Sequence, residues 1–215
     1  MVGVNMELYI DTGQADELFR QMKSVLGPDV AERVMQSAIR KTGTRTKKIV
    51  AEAVSTEYNI TKEQAKADVK RPETQALACT IPIEGVRHAI GGNTFKAQGG
   101  LPGWATLHSG KYRITTEIIR GKTTELPLEM KHQGGNPPWI NTAAKAKGMN
   151  TVAFTRKEGT GFPPNNKPYM RVVGIATPQM AENRSNEQIA EDIEKLLIEQ
   201  ITNTYNAKMA KLMTK

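Results

Sequence analysis

The sequence predicts an α+β fold with N-terminal helices, a central antiparallel sheet and a long C-terminal helix. Three observations predict it. Residues 16–70 and 186–213 repeat apolar side chains at helical spacing. Residues 75–83, 112–119, 124–131, 151–156 and 169–173 read as strands, with Gly, Pro and Asn clusters between them. The resulting order is strand, helices, antiparallel strands, helix. All 215 residues are read as one body (1–215) by default, with two small domains as the alternative, and with a basic helical segment at 28–71 and a terminal helix at 186–213.

The first strand, 6–11, alternates and meets Thr12-Gly13. A helix over 16–26 carries Leu18, Met22, Val25 and Leu26 on one face and stops at Gly27-Pro28. Pro28 suits the start of the next helix, where its missing N–H is not needed. That helix runs over 29–58. Val30, Val34, Ala38, Ile39, Ile49 and Val54 lie near one stripe, and Arg33, Arg40, Lys41, Arg45, Lys47 and Lys48 crowd the other side. Gly43 lies inside it at a cost of about 1 kcal/mol against alanine, which predicts a kink or a close packing contact. Thr61 and Gln64 make a capping box for a short helix over 62–70, which stops before Pro72.

Pro82 places the end or an edge of the strand over 75–83. Residues 91–110 and 134–148 are glycine-rich and read as long loops. Gly121-Lys122 is a hairpin turn between the strands 112–119 and 124–131, and residues 174–179 leave the sheet. The last helix places Ile189, Ile193, Leu196, Leu197, Ile201, Tyr205, Met209 and Leu212 in one continuous stripe.

The net charge of +8 predicts attraction to anionic partners. One cysteine, Cys79, excludes an intrachain disulfide. Neither a signal peptide nor a membrane span is expected. His88, His108 and His132 match no zinc spacing, so no metal ligands are assigned. Cys79 lies on an apolar strand face and reads as an inert thiol. His108-Ser109 is a neighbouring pair in a loop rather than a triad. Gly121-Lys122-Thr123 ends like a phosphate-binding loop, but Thr116 stands where its first glycine belongs. Glu117, Glu125 and Glu129 alternate with apolar residues as a solvated sheet face does. No catalytic residue and no cofactor site are assigned, and the expectation is a non-enzymatic protein.

The strongest feature is the basic stretch, with ten Lys/Arg against four Asp/Glu from Arg33 to Arg71. It reads either as a solvated helix face or as a surface for nucleic acid or an acidic neighbour. Arg40, Lys41, Arg45, Lys47 and Lys48 are the candidate contact group. Trp104 and Trp139 sit in Gly/Pro loops and are candidate subunit-interface residues.

Three segments carry a family resemblance. Residues 39–70, IRKTGTRTKKIVAEAVSTEYNITKEQAKADVK, place a basic helix, a Tyr58-Asn59-Ile60-Thr61 turn and a second short basic helix in series. Residues 118–128, IIRGKTTELPL, form a basic strand-turn-strand. Residues 168–180, PYMRVVGIATPQM, hold Pro168, Gly174, Pro178 and Met180 before a charged helix. Together these resemble the phage minor tail protein Z family, the tail completion proteins. Lys167, Tyr169 and Ile175-Ala176 depart from the aliphatic and Pro-Ser positions of that family.

The resemblance implies a virion protein, assembled in the host cytoplasm, that completes the head-proximal end of a tail or neck and helps join tail to head. It also implies a homo-oligomeric ring, six-fold by the symmetry of tails, with the tail terminator, tube and connector as neighbours. In such a ring the basic face either lines a channel that DNA crosses or meets acidic partners. A nucleic-acid-binding accessory protein using the same helix is the alternative reading.

Overall fold

The structure is a computed structural model that describes residues 3–9, 15–75, 77–91, 95–99, 114–126, 138–140, 153–156, 169–183 and 186–214. The described helices are α1 (Asp16–Leu26), α2 (Pro28–Glu57), α3 (Lys62–Asp68), α4 (Thr177–Asn183) and α5 (Asn186–Met213). The strands are β1 (Val4–Tyr9), β2 (Glu73–Gln75), β3 (Ala78–Gly85), β4 (Lys96–Gly99), β5 (Ile114–Ile119), β6 (Lys122–Glu125), β7 (Trp139–Ile140), β8 (Ala153–Arg156) and β9 (Tyr169–Arg171). All named pairings are antiparallel, so the fold is α+β. The chain divides into two compact units, where the sequence reading treats it as one body. Met1–Val54, Lys62–Gly85 and Thr177–Lys215 form the first, and Ser55–Thr61 with Val86–Ala176 the second. The larger part of the second unit, Val86–Ala176, is inserted between β3 and α4, and Ser55–Thr61 joins it from the end of α2.

The first unit sets helices against a three-stranded sheet of order β1-β3-β2. Leu8 opposes Ile81 and Met6 opposes Ile83 across β1 and β3. Cys79, Ile81 and Ile83 are buried at alternate positions of β3, as a half-buried strand requires. Val34, Met35, Ala38, Ile39, Val50 and Val54 of α2 are buried, as are Met180 and Ala181 of α4.

Gly43 is the close-packing position. A Cβ there would lie 2.7 Å from the Cys79 Sγ and 3.1 Å from the Pro72 Cβ, so only glycine lets α2 come this near the sheet. At the other end of α1, Gly27 takes a positive φ of 80° and its N–H donates to the Lys23 carbonyl at 3.1 Å. α2 starts on the next residue, Pro28.

The strand around Pro82 runs on to Gly85 rather than ending there. The Pro82 carbonyl accepts the Lys70 N–H at 2.8 Å, so the Pro82 nitrogen also faces away from β1. β2 pairs only with residues 78–80, so the missing N–H breaks no ladder bond to it.

The stripe on α5 also differs from its reading as continuous. Ile189, Ile193, Leu197 and Ile201 are buried, but Leu212 is 51% and Met213 81% exposed. Leu212 lies only about 20° around the helix from buried Ile201, eleven residues earlier, so it stays on the core side. Every residue from 210 to 214 is exposed, so the last turn of α5 runs past the core that its earlier turns cover.

In the second unit, β5 is the middle strand of β4-β5-β6, and β8 the middle strand of β7-β8-β9. Both β4 and β7 fall within stretches read as loops; they are short and flanked by glycine or proline, which hides the strand period. The remainder of those stretches lies outside the described residues. Residues 88–91 knit the unit: the Ile90 N–H donates to the Val172 carbonyl at 2.9 Å, and the Ala153 N–H donates to the Ile90 carbonyl at 2.9 Å. Phe95 is fully buried, with its ring edge-on to His88 at 6.1 Å. Residues 174–179 are read as leaving the sheet; from Thr177 the chain forms α4 (Thr177–Asn183).

Candidate functional site

Successive α-helical residues advance by about 100°, so the five candidate cations do not share one line. Arg40 and Lys47, seven residues apart, fall on one edge of the exposed face. Lys41, Arg45 and Lys48 fall on the other, turned by about 100°.

The second edge faces α5. Lys41 Nζ donates to Thr204 Oγ1 at 3.1 Å, and Arg45 approaches Glu199 Oε1 at 4.0 Å. As residue numbers rise on α2 they fall on α5, so these helices run antiparallel. Between them lies a groove of about 530 Å³ lined by Arg45, Lys48, Ile49, Glu52, Asp192, Lys195, Leu196 and Glu199. Arg45, Lys48 and Lys195 are matched there by Glu52, Asp192 and Glu199, so its formal charge is zero. Lys62 adds a second tie to Glu52 at 3.2 Å. Both side chains of the Arg45–Glu199 pair are more than half exposed, so it contributes well under about 1 kcal/mol. Lys41 and Arg45 are therefore part of a joint between two helices of the same unit, and Lys48 lines it.

The first edge is different. Arg33 falls in line with Arg40 and Lys47, each seven residues from the next. None of the three makes an ion pair with the described residues. The sequence holds the signal for this split, because a seven-residue spacing drifts by only about 20° on a helix. The acidic partners on α5 could not be found that way, since they depend on which helix packs beside α2.

A second cluster lies in the other unit, at the end of α2. The last turn of α2 has no basic residue of its own. Arg120, from the β5–β6 turn, supplies one: its Nε donates to the Ser55 carbonyl at 2.7 Å and a terminal nitrogen donates to the Ile60 carbonyl at 3.4 Å. Its backbone N–H donates to the Glu57 carbonyl at 3.0 Å. The Asn59 N–H donates to the Ile118 carbonyl at 2.8 Å, and the Asn59 side chain donates to the Glu117 carbonyl at 3.2 Å. Tyr58 bridges to Ile119. This cation satisfies carbonyls that a helix C-terminus leaves open and meets the negative end of its dipole. The turn places it: Gly121 takes a φ of 72°, and its N–H donates to Glu117 Oε1 at 2.8 Å. Gly174 packs nearby, where a Cβ would lie 2.8 Å from the Phe95 ring and 3.5 Å from Ile118.

Trp104 lies outside the described residues, as do His108, Ser109, Glu129 and His132. Trp139 opens β7 opposite Phe154, and its side chain is outside the described set. Burial pushes the Cys79 thiol above its ordinary pKa; the Thr74 hydroxyl, 3.9 Å from Sγ, pulls the other way. Among the described residues no three His, Cys, Asp or Glu side chains converge as metal ligands, and no helix is long and apolar enough to cross a membrane. No protein-family model, curated protein or solved structure matches the chain.

Proposed function

We propose that the chain is a non-enzymatic virion protein of a phage tail or neck. It completes the head-proximal end of the tail and helps join tail to head, as a homo-oligomeric ring, six-fold, against the tail terminator, tube and connector. One observation carries this reading. The three segments that resemble tail completion proteins are separated along the chain yet meet around Ile118. Asn59 bonds the Ile118 carbonyl, Arg120 in the next segment clasps the end of α2, and Gly174 in the third lies against the Ile118 side chain. Motifs that are diffuse along the sequence thus belong to one structural cluster.

Mass measurement tests the reading. The purified chain, alone and mixed with a tail terminator protein, is expected to give a discrete higher oligomer or a stable complex. A monomer that binds no tail component argues against it.

The alternative, a nucleic-acid-binding accessory protein, is favoured by the Arg33, Arg40 and Lys47 line, which has no acidic partner among the described residues. Charge reversal that abolishes DNA binding while leaving particles intact selects that alternative.

A further inference from the structure

The exposed residues of α2 from Arg33 to Lys48 are Arg33, Arg40, Lys41, Thr44, Arg45 and Lys48, and none is apolar. Gln36, Ser37 and Lys47, half-buried, complete the outer surface with further polar groups. Asp29 and Glu32 bound this face on one side and Glu52 on the other; within it there is no carboxylate. With Lys41 and Arg45 engaged by α5 and Lys48 lining the groove beside it, the line that remains on the outer edge is Arg33, Arg40 and Lys47. Its members are about 10 Å apart along the helix at about 1.5 Å per residue.

The composition of the face selects among anionic partners. A protein partner needs an apolar or aromatic centre to its interface, and this face has none. Single-stranded nucleic acid is held by aromatic platforms, and the face has no ring. Cations interspersed with hydroxyls and amides are the set that contacts phosphate oxygens along a duplex.

We propose that Arg33, Arg40 and Lys47 form a docking line for the phosphate backbone of double-stranded nucleic acid, independent of base sequence. The inference stands on the helix face alone and does not need the assembly role.

Fluorescence anisotropy of a labelled DNA duplex with the full-length protein, titrated with salt, tests it. Binding is expected at ~50 mM salt, with log K falling linearly in log salt. The triple variant R33E/R40E/K47E is expected to lose about 50-fold or more in affinity and to flatten the salt slope by roughly 2.7, the value for three phosphate contacts. R33K/R40K/K47R keeps the charge and is expected to bind within about 3-fold of the parent, since phosphate contacts here act mainly through charge. K66E/R87E/K211E makes the same charge change at exposed sites elsewhere and is expected to lose less than about 5-fold, through the general field alone. Equal losses in the two reversal variants overturn the proposal, because net charge then explains binding. So does a parent protein that ignores duplex DNA at low salt, or one that binds polyglutamate instead.

Discussion

Gly43 and Cys79 hold α2 to the first sheet as a matched pair. Gly43→Ala should gain about 1 kcal/mol of helix propensity. It also drives a methyl into a buried sulfur 2.7 Å away, an overpacking that costs about 1–3 kcal/mol. Denaturant unfolding is expected to show a net loss for Gly43→Ala. In a Cys79→Ala background the sulfur is gone and the Pro72 Cβ at 3.1 Å is the close contact left, so the same substitution is expected to cost less; the difference is the coupling of the pair. The thiol itself gives a pH signature. Its pKa is raised in the fold by burial, so the unfolded chain ionises first as pH rises. The two states bind equal protons at neutral pH. Stability is therefore expected to fall above about pH 8.5, the ordinary thiol value, and Cys79→Ala is expected to remove that part of the decline. Native Cys79 is expected to react slowly with an alkylating reagent until the protein unfolds.

Arg120 and α5 show what each element contributes. Arg120→Ala removes the cation that closes α2 and is expected to cost about 1–2 kcal/mol, with faster amide exchange over residues 55–59. Arg120→Lys is expected to recover only part, since one ammonium does not reproduce the fork that reaches both the Ser55 and Ile60 carbonyls. On α5, Ile193→Ala is expected to cost about 2–5 kcal/mol, whereas Leu212→Ser stays within about 0.5 kcal/mol. Similar losses at both positions in thermal unfolding contradict a last turn of α5 that runs past the core. These elements also show what the sequence made legible. The ends of α1 follow from Asp16 and from Gly27-Pro28, and α1 runs over the residues expected of it. α2 and α5 carry enough helical repeats to be read within a residue or so. β4 and β7 were not legible, because strands of two to four residues are set by pairing partners far along the chain. For the same reason Arg40 and Lys41, adjacent in sequence, could be read only as one basic group. α5 separates them, by engaging Lys41 and leaving Arg40 without an ion pair among the described residues.

At the scale of the molecule, two units built on one chain divide the candidate features. The first holds the basic face of α2 and its charge-balanced joint with α5; the second holds the clasp of Arg120 around the end of α2. The proposed assembly role unites them. Segments that resemble tail completion proteins build the cluster around Ile118, and the long α2 carries a cationic face that the first unit leaves exposed. The most direct test is imaging of an intact phage particle that contains this chain, with the chain located by fitting each unit separately into the density. The expected result is a closed ring of copies at the head-proximal end of the tail. A particle whose tail and neck lack the chain would contradict the account.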